Sequence, residues 1–177
     1  MIDLALLNAL DENDVADFEI SEVEKFAALF AQTSVPVQLT EYDVTKGEFP
    51  ATPDAHSAYL VTGSVQGVYD PQPWIAQLAD FVRAAFASGL KLVGICFGPQ
   101  LLAHALGGHA EKAAQGWGMG ARAMTVQETA VWMDPPLDQC RLYYCHQDQV
   151  ISLPPNAVRL GTDPFCPNGL FAIGTQV

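Results

Sequence analysis

The most constraining feature of the sequence is a cysteine between two glycines within residues 91–108, KLVGICFGPQLLAHALGG. An apolar run that is rich in β-branched residues precedes Cys96, and leucines and alanines at helical spacing follow it as far as Gly107. Glycines two residues before and two residues after the cysteine permit a tight turn and close packing. The segment therefore predicts a strand that turns sharply into a helix, with Cys96 at the corner, an arrangement known as a nucleophile elbow.

The predicted corner gives Cys96 a chemical role. Its sulfur would project from the carboxyl edge of a sheet, beside the unpaired N–H groups and the positive dipole end of the following helix. Both effects favour the thiolate over the thiol, so we expect a reactive nucleophile. The backbone N–H of Phe97 is expected to stabilise an oxyanion. The alternative is a buried and inert cysteine, a common fate for this residue.

Length and charge limit the remaining possibilities. A chain of 177 residues with 50% hydrophobic content predicts one domain, residues 1–177, that buries about two-thirds of its unfolded surface. Acidic residues outnumber basic ones 20 to 8, and the net charge of -12 argues against nucleic acid or an anionic membrane as a partner. The sequence has neither an apolar run of about 20 residues nor an N-terminal signal-peptide pattern. We therefore expect a cytoplasmic protein.

The four cysteines show no CxxC pair and no metal-ligand spacing with the four histidines. We therefore predict neither a metal site nor an organic cofactor. In a reducing cytosol the thiols are expected to be unbridged, which leaves one of them available for chemistry.

The order of predicted elements indicates an α/β fold. Strands are predicted at residues 2–7, 35–44, 58–61 and 91–95, and helices at 21–32, where Ser21 and Glu24 have capping-box spacing, and at 73–87. The acidic segment 11–19 is predicted to form a loop. Alternation of strands and helices is typical of a parallel sheet. After Gly108 the pattern predicts only short strands, at residues 119–127, 130–133, 142–145, 157–161 and 170–177.

The elbow resembles that of class I (triad) glutamine amidotransferases, in particular the small stand-alone members related to the amidotransferase domain of GMP synthase. Three further segments agree in order and spacing: YLVTGSVQGVYD at 59–70, GWGMG at 116–120 and YYCHQDQV at 143–150. The match spans residues 57–177, and the first 50 residues match only loosely. The resemblance implies a flavodoxin-like α/β fold with a mostly parallel central sheet and flanking helices.

The resemblance also implies roles for individual residues. Cys96 would attack the side-chain amide of glutamine and form a γ-glutamyl thioester, which water would hydrolyse. Phe97 would provide one oxyanion donor, and the backbone of Ser64 or Gly63 the second. Ser64 stands where the family usually has glycine. The residues implied to bind the substrate are Gln100, which would line the pocket, and Gln147 and Asp148, which would contact the α-amino and α-carboxylate groups; Gln100 as a solvated helix residue is the alternative.

Histidine is the point at which the sequence departs from the family. The resemblance implies a catalytic histidine in a His-Pro-Glu motif, and the 177 residues contain no such motif. His146 is tempting as a base, but it lies in a different motif and we expect it not to be catalytic. We expect instead that the C-terminal part of the domain is missing from this chain, or that a naturally shortened protein has lost its base.

Three functions follow from these expectations. The leading hypothesis is hydrolysis of glutamine or a related γ-glutamyl amide with release of ammonia, which a synthase subunit would accept as a partner. A γ-glutamyl peptidase is the second, because it would use the same acyl-thioester. A catalytically silent binding or regulatory domain is the third, because the His-Pro-Glu motif is absent.

Overall fold

The computed structural model of the chain describes residues 1–11, 13–14 and 20–177. Its strands are β1 Ile2–Asn8, β2 Val37–Asp43, β3 Ala58–Val61, β4 Lys91–Gly94, β5 His109–Lys112, β6 Gly118–Val126, β7 Gln139–His146, β8 Asp148–Ser152, β9 Ala157–Thr162 and β10 Leu170–Ile173. Its α-helices are α1 Glu22–Phe30, α2 Pro73–Ala87 and α3 Phe97–Ala105. The loop predicted for residues 11–19 falls mainly outside the described residues.

The N-terminal half forms a parallel sheet of four strands in the order β2-β1-β3-β4. Leu4 and Leu6 of β1 pack on one face with Phe26 of α1, while Ala5 and Leu7 pack on the other face, in the cluster that α2 and α3 complete. All four of these β1 residues are buried. Burial on both faces explains why the strand is a continuous apolar run rather than an alternating one.

Helix α1 begins where the capping-box spacing predicts. The Ser21 hydroxyl accepts a hydrogen bond from the Glu24 N–H, and the Glu24 carboxylate accepts one from the Ser21 N–H at 2.8 Å. These bonds satisfy backbone donors that have no partner within the helix. The hydrogen bonds that the Glu24 carboxylate accepts from the Ser21 N–H and from the Ser21 hydroxyl lower the pKa of this carboxyl.

The C-terminal half is antiparallel. Four strands form a sheet in the order β10-β9-β6-β7, and β5 and β8 form a separate two-stranded sheet. The predicted α/β fold with a parallel sheet and flanking helices is therefore confirmed for the first half. Within the described residues, no helix combines the length and apolar character needed to cross a bilayer.

Two sequence predictions in this half are wrong. Residues 130–133 form turns rather than a strand, because no strand among the described residues pairs with them and Val131 is 97% exposed. The final strand ends at Ile173 instead of Val177, because Gly174 adopts a φ of 55° and the chain turns back to hydrogen-bond Ile173. Strands β5 and β8 were not predicted at all.

Candidate active site

Cys96 occupies a strained corner between β4 and α3. Its φ and ψ are 59° and -100°, and Asn156 is the only other non-glycine residue with positive φ in the described part of the chain. Such a backbone costs about 1–3 kcal/mol and is retained only where the surroundings enforce it. Ile95 N–H bonds the Val61 carbonyl at 3.0 Å, and Gly98 N–H bonds the Ile95 carbonyl at 2.9 Å. The predicted elbow is present.

The elbow has no room for a side chain at Gly94 or Gly98. A Cβ on Gly94 would lie 2.5 Å from the carbonyl carbon of Gly98, and a Cβ on Gly98 would lie 2.5 Å from the carbonyl oxygen of Val61. Both contacts are with backbone atoms, which cannot move aside as the end of a flexible side chain can. Any side chain at either position would push α3 away from the parallel sheet and displace Cys96.

The turn after β3 lies directly against the cysteine. A Cβ built on Gly63 would be 3.5 Å from the Cys96 Cβ and 3.8 Å from its Sγ, so the Gly63 backbone is adjacent to the sulfur. The Ser64 hydroxyl accepts a hydrogen bond from the Gln66 N–H at 3.2 Å, which fixes the following loop. The turn predicted to supply a second oxyanion donor is therefore next to the elbow.

Cys96 faces a cleft of about 230 Å³. Its walls come from the loop after β3, the start of α3, the end of β5 and the junction of β7 with β8; the lining residues are Ser64, Val65, Gln66, Gly67, Asp70, Cys96, Phe97, Gln100, Lys112, Trp117, Cys145, His146, Gln147 and Asp148. Six of the seven site residues predicted from sequence line this one cleft. The seventh, Gly63, is in contact with Cys96.

Gln100 connects the two halves of the cleft. Its side chain is only 6% exposed, and its Nε2 donates to the Asp148 carbonyl oxygen at 2.8 Å. The interpretation of Gln100 as a solvated helix residue is therefore wrong. The Asp148 carboxylate accepts a hydrogen bond from the Tyr69 hydroxyl at 2.7 Å, and this bond contributes, with burial as the larger cause, to a raised pKa of Tyr69.

The ionisation of Cys96 differs from the sequence expectation. The side chain opens onto the cleft, but the walls displace much of the water around the sulfur, and this burial raises the pKa of the Cys96 thiol. The Phe97 N–H, which donates to the sulfur, lowers the pKa, whereas nearby Cys145 and the Asp148 carboxylate raise it. The Phe97 N–H at the start of α3 favours the thiolate, as expected from the sequence, but burial is the larger effect, so the net direction of the Cys96 pKa is upward.

His146 is held at the cleft wall by its neighbours. Its Nδ1 lies 3.0 Å from the Asp148 carbonyl oxygen, and its ring packs on Tyr144 and Phe165. A carbonyl accepts only, so Nδ1 carries the proton in this contact. The groups that shift the pKa of Cys96 are Phe97, Cys145 and Asp148, and His146 is not one of them.

Sequence reasoning assigned no role to several residues on or beside the cleft, among them Tyr69, Asp70, Lys112, Trp117 and Cys145. Tyr69 and Asp70 belong to the segment 59–70 and Trp117 to the segment 116–120, so their motifs were noted without a role for these side chains. Lys112 lies outside every motif. Only the pairing of β5 with β8 brings it to the cleft.

Comparison with known proteins agrees with this geometry. The family model for class I glutamine amidotransferases matches residues 14–164. The chain belongs to this family. It is 32% identical over 127 residues to γ-glutamyl peptidase 4 of Arabidopsis thaliana, a match that covers 68% of this chain and 51% of that protein.

Two further comparisons broaden the picture. A glutamine-hydrolysing GMP synthase of Acetivibrio thermocellus is 32% identical over 108 residues, which cover 61% of this chain and 20% of the synthase. A crystal structure of a glutamine amidotransferase from Thermotoga maritima superposes with a TM-score of 0.81 at 20% identity, over 98% of this chain and 72% of that one. The second match shows that the fold is shared.

The matched regions cover only part of the relatives. This chain spans between 51% and 59% of the length of the A. thaliana γ-glutamyl peptidases 2 to 5. It spans 44% of a γ-glutamyl-L-1-hydroxyisopropylamide hydrolase from Pseudomonas, to which it is 31% identical over 129 residues.

Proposed function

We propose that the chain carries the acylation site of a γ-glutamyl amide hydrolase. The strained backbone of Cys96, with its sulfur open to a polar cleft, is the observation that carries the proposal. Strain of this kind has no use in an inert buried thiol, whereas it exposes the Sγ of a nucleophile. The relatives whose names specify γ-glutamyl substrates support the same chemistry.

The proposed reaction has two steps. The Cys96 sulfur attacks the carbonyl carbon of the γ-amide, the C–N bond breaks, and the nitrogen takes a proton and leaves as ammonia or an amine. Water then attacks the thioester and releases glutamate. The Phe97 N–H and the backbone of Gly63 or Ser64 are the proposed oxyanion donors, each expected to contribute about 3 kcal/mol to transition-state stabilisation.

Attack by Cys96 requires removal of its proton. Since burial and Asp148 favour the thiol, a base must accept this proton. The resemblance to class I glutamine amidotransferases implies that this base is the histidine of a His-Pro-Glu motif, which the 177 residues do not contain. An electrophilic substrate analogue needs only a small thiolate population, so it tests the nucleophile and the binding cleft separately from the base.

The first experiment therefore uses a chloroketone analogue of glutamine. We expect a single adduct on Cys96 by mass spectrometry, formed faster than with chloroacetone, because the cleft holds the glutamyl portion. Cys96→Ala should remove this adduct, and the matched variant Cys145→Ala should retain it. Labelling of other thiols while Cys96 stays unmodified would contradict the proposal, as would equal rates with the two reagents.

Turnover distinguishes the candidate substrates. Glutamine hydrolysis with ammonia transfer to a synthase partner is the reaction implied by the GMP synthase relatives, and cleavage of γ-glutamyl peptides is that implied by the peptidases. The exposed Trp117 at the cleft favours the peptidase, because its ring provides a surface for a leaving group larger than ammonia.

The turnover assay compares glutamine with a γ-glutamyl dipeptide, using the protein as its natural gene encodes it. We expect the dipeptide to have the higher kcat/KM. Cys96→Ser should lower this kcat/KM by at least about 100-fold. Preference for glutamine would indicate the amidotransferase reaction instead. Ligand binding without turnover of either substrate would identify a silent binding domain.

A further inference from the structure

Lys112 has an unusual position at the end of β5. In the antiparallel pairing of β5 with β8 it lies directly opposite Asp148, and the irregularity in this pairing lies at the other end, between His109 and Ala110. Directly opposed residues of an antiparallel pair point to the same face, with Cβ atoms about 4.5–5.5 Å apart. The pairing thus puts an ammonium group and a carboxylate side by side on the cleft wall.

The positive charge of Lys112 is not used within the part of the chain that the structure describes. Lys112 makes no ion pair there, and it is the only lysine or arginine among the cleft-lining residues. The neighbouring Glu111 is engaged elsewhere, by His109 at 3.1 Å. An unpaired cation on the wall of a cleft in a chain of net charge -12 provides a local positive charge that would attract an anionic ligand group.

The carboxylates of the cleft are already oriented by the protein. Tyr69 donates to one oxygen of Asp148 at 2.7 Å, and the Gly67 N–H donates to Asp70 at 2.7 Å. The Asp148 carboxylate lies against the loop after β3, where a Cβ on Gly67 would be 2.9 Å from its Oδ2, and within the described residues it makes no ion pair with Lys112. The wall consequently presents a negative and a positive group that are neighbours without being paired to each other, which complements a zwitterion.

We propose that Lys112 binds the α-carboxylate of the γ-glutamyl substrate while Asp148 binds its α-amino group. This inference rests on the proposed function and assigns to Lys112 a role in substrate recognition. It makes the site selective for a free α-amino acid at the γ-glutamyl end, whatever amine leaves at the other end. Lys112 is a binding residue here and takes no part in bond breaking.

A binding cycle tests the assignment. The 177-residue chain carrying Cys96→Ala, which prevents thioester formation, is titrated calorimetrically with L-glutamine and with its α-amide, which has no α-carboxylate. We expect Lys112→Met to weaken glutamine binding about tenfold, the usual worth of a charge-assisted hydrogen bond. The same substitution should change α-amide binding by less than about twofold, because the partner of Lys112 is then absent.

Two further variants make the result specific. Lys112→Arg should retain most of the glutamine affinity, since it preserves the charge. Lys91→Met makes the same charge change at the start of β4, the end of that strand farther from Cys96, where Lys91 donates to the Thr175 carbonyl at 2.5 Å. This variant should leave both affinities unchanged.

The outcomes separate the two proposals. Equal weakening of both ligands by Lys112→Met, or weakening of neither, overturns the Lys112 assignment. If in that case the chloroketone still labels Cys96 selectively, the proposed function stands without this assignment. Failure of the chloroketone labelling, together with no binding of glutamine by the unsubstituted chain, overturns the proposed function itself.

Discussion

The parallel sheet and the antiparallel sheet bury their side chains to very different extents. Leu4 to Leu7 of β1 are 5% exposed or less, whereas Met119 on β6 is 60% exposed and Tyr143 on β7 is 90% exposed. The parallel sheet is covered by helices on both faces, and the β6–β7 hairpin keeps one face in contact with solvent. The comparison indicates that most of the apolar stabilisation comes from the first half of the chain.

The same division applies to the active-site cleft. Cys96, the proposed nucleophile, stands with its strained backbone on the covered sheet, where backbone packing enforces its geometry. The groups proposed to bind the α-carboxylate and α-amino groups of the substrate, Lys112 and Asp148, lie on the small β5–β8 sheet. Under the proposed function, the covered half thus positions the reacting atom, and the more exposed half supplies the selective polar contacts.

The largest effect expected from this comparison is on stability. Leu101 of α3 is fully buried in the cluster against the parallel sheet. Leu101→Ala should lower the free energy of unfolding by about 3 kcal/mol through lost burial and a residual cavity. Tyr143→Ala removes a larger side chain from the antiparallel sheet, but it should change the free energy of unfolding by no more than about 0.5 kcal/mol, because Tyr143 is exposed. Urea unfolding measures both, and equal losses would contradict the comparison.

The next effect concerns the elbow glycine. Gly98→Ala places a Cβ 2.5 Å from the Val61 carbonyl oxygen, and we expect a loss of about 2 kcal/mol. The gain in helix propensity, about 1 kcal/mol at most, does not offset this clash. Gly63→Ala is the control, because its Cβ meets Cys96 at an ordinary 3.5 Å. A Gly98→Ala variant as stable as Gly63→Ala would show that the elbow is less constrained than its contacts indicate.

A smaller effect tests whether the antiparallel half has a fixed interior of its own. The buried Tyr144 hydroxyl donates to Asp163, whose other oxygen accepts from the Phe165 and Cys166 N–H groups. Tyr144→Phe removes one bond to a buried carboxylate and should cost about 1.5 kcal/mol. The adjacent Tyr143→Phe, exposed on the opposite face, should be neutral. Equal stability losses in Tyr144→Phe and Tyr143→Phe, measured by thermal unfolding, would show that the hydrogen bonds to Asp163 do not stabilise the fold.

The two halves also differ in how well the sequence predicts them. The elbow, β1 and α2 follow from local patterns, because burial on both faces makes β1 a continuous apolar run and burial of one face gives α2 its helical apolar spacing. By contrast, β5 and β8 are short and partly polar, and they are strands only because each provides the hydrogen-bonding partner of the other. Residues 130–133 are the opposite case. Their apolar composition predicted a strand, but no strand among the described residues pairs with them.

The site follows the same rule. The location of Cys96, Gln100 and Asp148 in one cleft could be predicted from motifs, because the motifs occur in a recognisable order along the chain. Lys112 could not, since it becomes a cleft residue only through its register with Asp148. The direction of the Cys96 pKa was also beyond the sequence, because the local helix N-terminus and the burial by distant segments act in opposite directions and only the structure shows that burial is larger.

The smallest expected effect measures electrostatic coupling between the halves. The Asp148 carboxylate raises the pKa of the Cys96 thiol, so Asp148→Asn should lower that pKa and increase the thiolate fraction below it. We expect iodoacetamide to alkylate Cys96 about twofold faster in this variant at neutral pH, and the difference to vanish once the pH exceeds both pKa values. Asparagine keeps an oxygen that can accept from Tyr69, so the change is chiefly one of charge.

Asp70→Asn is the matched control for this measurement. Asp70 lines the same cleft, but its carboxylate is bound by the Gly67 N–H and is not among the groups that shift the pKa of Cys96. Its substitution should leave the alkylation rate unchanged across the pH range. Equal acceleration by both variants would mean that the total charge of the cleft, rather than the placement of Asp148 beside the elbow, controls the thiol. An effect confined to Asp148→Asn requires the β8 carboxylate to act on the sulfur across the cleft.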